Sequence, residues 1–97
     1  MRKRKMYENH WAILDGAAFQ DKKKAHEIIS RELSFPSYYG GNLDALYDCL
    51  TEMGQTEIDL FSCALIRRNL DAYGDRLLQV FSDAAEANPN LSLKMYD

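Results

Sequence analysis

The stretch SFPSYYGGNLDALYDCL, Ser34 to Leu50, decides how the rest of the chain is read. Pro36 removes a backbone donor and restricts Phe35 before it, so a helix arriving from upstream must end here. Tyr38 to Gly41 then reads as loop, with glycines opening backbone angles closed to other residues. Asn42 suits a helix cap, because its side chain accepts from the free amides of the first turn. Leu43, Leu46, Tyr47, Leu50 and Met53 follow at i, i+3, i+4, i+7 and i+10, one apolar stripe of a helix. Gly54 is expected to stop it.

Upstream, HWAILDG is a short apolar run closed by Asp-Gly, the pattern of a strand and turn. From about Phe19 to Leu33, Ala25, Ile28, Ile29 and Leu33 recur at helical spacing with Lys22, Lys23 and Lys24 on the polar side, and Gln20 or Asp21 near the start. Downstream, TEIDLFSCAL reads as a second strand and RRNLDAYG as a short helix ended by Gly74. DRLLQVFSDAAEAN reads as a longer helix through Leu77, Leu78, Val80, Phe81 and Ala84, with Pro89 just beyond, and LSLKMY as a last strand. Long helical crossovers between successive strands favour a parallel sheet. The expectation is an α/β fold: a small three-stranded parallel sheet with four helices packed against it, in one domain over residues 1–97, residues 1–7 being a flexible basic tail.

Ninety-seven residues, 46% of them hydrophobic, suit one modest core. No apolar run reaches bilayer length. MRKRK resembles the start of a signal peptide, but Glu8, Asn9 and His10 prevent an apolar segment from forming after it. Cys49 and Cys63 make no C-x-x-C pair and no disulfide framework, so both are expected to be reduced, buried packing residues of a cytoplasmic protein. His10 is expected at a strand edge and His26 on a helix surface. There is no Gly-rich phosphate loop and no Ser–His–Asp or His–Cys arrangement, and Cys49 has no evident activating base. The chain is therefore read as no enzyme and as needing no cofactor. The rival from that class, a divalent cation on Asp44, Asp48 and Glu52, would show as a tight site for Mg2+ or Ca2+ in calorimetry.

Charge gives the sharper signal. Four of the twelve lysines and arginines lie in residues 2–5, leaving eight bases against fifteen acids, a net −7, in the remainder. No Lys or Arg occurs between Arg31 and Arg67, whereas Glu32, Asp44, Asp48, Glu52, Glu57 and Asp59 all do. Such a field repels nucleic acid and attracts basic surfaces. Asp44, Asp48 and Glu52 stand four residues apart along one side of the second helix. Like charges at that spacing destabilise a helix by roughly 0.2–0.5 kcal/mol per pair, and only Asp44, in the first turn, is favoured by the helix dipole. Charge runs are commonly mere solvated faces. Here the run adjoins Tyr38 and Tyr39, one ring of which can cap the core while the other anchors an interface. Together they describe a surface for a basic pocket.

The thirteen residues YYGGNLDALYDCL, Tyr38 to Leu50, resemble the signature of the barstar family, intracellular inhibitors of secreted ribonucleases of the barnase type. In that family Tyr-Tyr-Gly, one variable residue and Asn-Leu-Asp-Ala-Leu precede an aromatic and Asp-Cys-Leu. LLQVFSDA is similar to the family's fourth helix, and the strand–helix order matches over nearly the whole chain. The resemblance implies a partner, a basic extracellular-type ribonuclease whose active-site cleft the second helix and preceding loop would plug. It implies that Asp48 takes the place of an RNA phosphate, that Asp44 and Asn42 meet the rim, and that Tyr38 lies against active-site groups. Gly40 would permit close backbone approach, Tyr39 would serve the contact or the inhibitor's own core, and Asp83 would support binding from the fourth helix. Tyr47 stands where the family commonly has Trp, Gly41 fills the variable position, and Asp83 is shorter than the usual Glu. The implied inhibitor binds neither nucleic acid nor membrane and is monomeric when free. Two other readings stay open: an antitoxin of this fold aimed at a different basic toxin, and an interaction module with no nuclease partner.

Overall fold

The structure, a computed structural model, describes the chain from His10 to Asp97; the expected basic tail falls outside the described residues. The elements run β1 (His10–Asp15), a 3-10 turn (Gly16–Ala18), α1 (Lys22–Glu32), α2 (Leu43–Glu52), β2 (Thr56–Phe61), α3 (Cys63–Leu70), α4 (Ala72–Ala87) and β3 (Leu91–Met95). The three strands form one parallel sheet in the order β1-β2-β3. His10 pairs with Thr56 and Thr56 with Leu91, so all three strands start level. His10 thus lies on an edge strand.

The α/β architecture expected from the sequence is the one present. Alternation on the strands decides which side the helices cover. Ala12, Leu14, Ile58, Leu60 and Leu91 point into the core, whereas Trp11, Ile13 and Phe61 point to solvent. The Trp11 indole donates to Asp59 Oδ2 at 3.0 Å, and Phe61 stacks on Tyr96 with centroids 4.7 Å apart on that open face. On the covered side α1 packs on β1 and α4 on β3, and α2 lies chiefly against α4. Phe19, Phe81, Ile29, Leu46, Leu50, Ile66 and Leu77 are fully buried between them. Burying each such side chain stabilises the fold by about 1.5–3 kcal/mol.

Several expected boundaries move, each for a local reason. The first helix begins at Lys22, not near Phe19, because Asp21 caps it by accepting from the Lys24 amide at 2.7 Å. Phe19 is core all the same. The segment Ser62–Leu65, expected to prolong the second strand, leaves it: Ser62 adopts φ 61 and ψ 43, and α3 begins at Cys63. Gly74 ends no helix. It lies buried inside α4, where an added Cβ would stand 2.5 Å from the Ile66 carbonyl oxygen, so its role is the close approach of α4 to α3. The break between these helices is at Asp71 (φ 55), whose amide donates to the Arg67 carbonyl at 2.8 Å. Nor does Gly54 stop α2; the chain has already turned extended at Met53 (φ −69, ψ 145).

Candidate functional site

The loop between α1 and α2 is built from two complementary caps. At the end of α1, Ser34 takes a left-handed conformation (φ 57), its amide donating to Arg31 and the Phe35 amide to Ser30 at 2.9 Å. That is the Schellman pattern, which satisfies the last carbonyls and turns the chain sharply outward. Pro36 follows where no helical donor is needed, and a turn closes when the Tyr39 amide donates to the Pro36 carbonyl at 3.0 Å. At the other end Asn42 caps α2 as expected, its Oδ1 accepting from the Ala45 amide at 2.8 Å. Between the caps Gly41 has φ +69, the one left-handed glycine among the described residues. The permissive backbone is therefore needed at Gly41, whereas Gly40 lies where a Cβ would press on Asn42 Nδ2 at 3.3 Å.

This geometry brings the loop and α2 together around a surface cavity of about 360 Å³ lined by Pro36, Tyr38, Tyr39, Gly40, Ala45, Asp48, Cys49 and Glu52. Four residues named from the sequence, Tyr38, Tyr39, Gly40 and Asp48, thus share one concavity. The two tyrosines divide their work. Tyr38 is 86% exposed, whereas Tyr39 packs against the core, its ring 4.9 Å from that of Phe35. Asn42 and Asp44 lie exposed at the start of α2, outside the lining of this cavity, and Asn42 has its side-chain oxygen committed to the cap. Tyr47 is 37% exposed on α2 and does not complete the buried stripe made by Leu46, Leu50 and Met53. Asp83 is exposed on α4, accepting from Gln79 Nε2 at 2.9 Å; it does not line the cavity.

The charge of the site is uniform. No described Lys or Arg pairs with Asp44, Asp48 or Glu52; the ion pairs found lie on α1 and around Arg67. The field registers on Cys49, whose thiol is pushed up first by burial and then by Glu52 and Asp48. A thiol held protonated in this way is a poor nucleophile. Cys49 is only half-buried, not the packed interior residue expected, while Cys63 is buried. Among the described residues no three His, Cys, Asp or Glu side chains gather as a metal site. No described helix is long and apolar enough to cross a membrane.

The structure also brings to the site residues that the implied contacts did not include. His26, expected on a helix surface, is 5% exposed and bonded to the hydroxyls of both Tyr39 and Tyr73. It stands three and seven residues before the buried Ile29 and Leu33, a helical spacing that marked the inner face. Its tyrosine partners, 13 and 47 residues away, left no local signal. Glu52 joins the lining from one turn beyond Asp48, the spacing already visible in the acidic row.

Comparison with known proteins places the chain as a whole. The family model described as Barstar (barnase inhibitor) matches residues 9–96. The chain belongs to the barstar family. A curated Bacillus subtilis (strain 168) relative, "Putative ribonuclease inhibitor YrdF", is 38% identical over 81 residues, covering 76% of this chain and 84% of that protein. Nearly every described residue thus falls within the barstar match, including the Tyr38–Cys49 cavity and the fourth helix.

Proposed function

We propose that this protein inhibits a basic, barnase-like ribonuclease by inserting α2 and the Tyr38–Gly41 loop into the enzyme's RNA-binding cleft. A ribonuclease cleft must present cationic donors to phosphates. The observation that carries the reading is a row of exposed carboxylates with no described cation to neutralise it, set beside an aromatic ring that is 86% exposed. Asp48, on the wall of the cavity, takes the place of a phosphate and accepts charge-assisted hydrogen bonds. Tyr38 lies against the catalytic groups, Gly40 brings backbone close, and Asn42, Asp44 and Tyr47 meet the rim. Asp83 contributes from α4. Tyr39 supports the loop from within.

The protein acts as a stoichiometric plug and not as a catalyst, in the cytoplasm, as a monomer that protects the cell from its own toxic nuclease. Tyr47 and Asp83 depart from the family's usual Trp and Glu, which favours a target whose rim differs from that of barnase itself. An antitoxin against another basic toxin is the second reading. Mixing the protein with a basic secreted ribonuclease, followed by gel filtration and an RNA-degradation assay, separates the two. A one-to-one complex that spares the RNA supports inhibition. Co-elution with RNA still degraded points to a different target or surface.

A further inference from the structure

His26 joins three segments that are distant in sequence. It is buried on the inner side of α1, with Nδ1 2.7 Å from the Tyr39 hydroxyl and Nε2 2.7 Å from the Tyr73 hydroxyl. Both ring nitrogens are engaged, one by the loop and one by the first turn of α4. A neutral imidazole offers one N–H and one lone pair, so one tyrosine donates to it while the other accepts. If either hydroxyl swings away, the buried imidazole nitrogen it served is left without a protein partner.

Apart from the packing of the Tyr39 ring on Phe35, the loop has little else to hold it. Between Tyr38 and Gly41 the backbone makes one hydrogen bond of its own, from Tyr39 to Pro36, and Gly40 and Gly41 have no side chain to pack. The anchored ring of Tyr39 therefore sets the course of its neighbours Tyr38 and Gly40. We infer that His26 is a positioning residue for the docking surface, fixing residues 38–42 beside α2 through its bond to Tyr39. This rests on the reading that the surface binds a ribonuclease. A loop ordered before binding has less freedom to lose on docking, and such effects appear in the dissociation rate more than in encounter.

The test uses three variants of the whole protein, His26→Phe, His26→Asn and His26→Gln, read by amide hydrogen exchange of the free protein and by dissociation from a barnase-like ribonuclease. Phe keeps a ring and loses both bonds. The Asn amide stands about where Nδ1 stands and retains the Tyr39 contact, whereas the Gln amide reaches the Nε2 position and retains only Tyr73. Exchange at the Tyr39 amide, the hydrogen-bonded amide of this loop, is expected to rise at least about tenfold in the Phe and Gln variants and to stay near wild type in Asn. Dissociation follows the same order, with association within about twofold of wild type. A merely structural role speeds exchange throughout the core and does not separate Asn from Gln; that pattern, or an unchanged loop in all three, overturns the inference. Should the wild type bind no ribonuclease, the proposed function falls, and the exchange order alone then decides whether His26 holds the loop.

Discussion

The side-chain amide of Asn88 donates at 2.9 Å to both the Leu50 and the Met53 carbonyls, so the end of α4 ties off the end of α2. Carbonyls in the last turn of a helix have no partner within it. Asn88, 4% exposed, supplies one where water cannot. The acidic helix is thus pinned at both ends, by its own Asn42 and by a residue from the neighbouring helix. Asn88→Ala strands the buried Met53 carbonyl and leaves Leu50 only the long 3.4 Å bond from the Met53 amide, and is expected to lower stability by about 1–3 kcal/mol in urea unfolding. A shift below about 0.5 kcal/mol would place the tie elsewhere.

Gly74 tests how closely α3 and α4 pack. The Cβ of Gly74→Ala would fall 2.5 Å from the Ile66 carbonyl oxygen and 3.1 Å from Arg67 Cα, both backbone atoms that cannot rotate away. Helix propensity alone favours alanine by about 1 kcal/mol. The overlap should outweigh it, giving a net destabilisation of about 1–3 kcal/mol in denaturant titration. A more stable variant would show that the two helices separate at little cost.

His26 gives stability a pH dependence of known sign. Burial lowers its pKa from the ordinary 6.5, so the folded protein holds the ring neutral where the unfolded chain takes up a proton. The groups facing it are Lys22, Lys23 and Glu27 on α1, Tyr39 in the loop and Tyr73 on α4. Lys22 and Arg76 also border the cluster, 4.7 and 5.7 Å from the Tyr73 ring centroid. Stability from this site is present above about pH 6.5 and is lost as pH falls through the depressed folded pKa. Urea midpoints between about pH 7.5 and pH 5 should drop less in His26→Gln than in wild type. Parallel profiles would remove His26 as the cause.

The exposed carboxylates should also steer encounter. If they face a basic cleft, raising salt from about 50 to 500 mM slows association at least about tenfold, with a much smaller change in dissociation. Stopped-flow mixing with the ribonuclease measures both. An association rate indifferent to salt contradicts steering by this surface.

The sequence disclosed the fold where local chemistry announces itself. Asn42 and the apolar spacing after it located α2, and alternating apolar strands with helices between them gave a parallel sheet. It failed where long-range packing decides. Gly74 looked like a terminator because an isolated glycine usually is one, and nothing local revealed the Ile66 carbonyl against it. The surface was legible through its uniform charge and its two tyrosines. Which tyrosine faces solvent was settled by His26 and Phe35, whose contacts with Tyr39 the local spacing does not encode.

The central claim is that Asp48 occupies the place of an RNA phosphate, and the dissociation constants of wild type and Asp48→Ala for a barnase-like ribonuclease test it most directly. Removing one member of a buried, hydrogen-bonded charge pair at an interface costs about 2–5 kcal/mol. Asp48→Ala is expected to bind at least about thirtyfold more weakly, the largest loss among single changes on this surface, with Tyr38→Ala next. An Asp48→Ala protein that inhibits RNA cleavage as tightly as the wild type would contradict the claim.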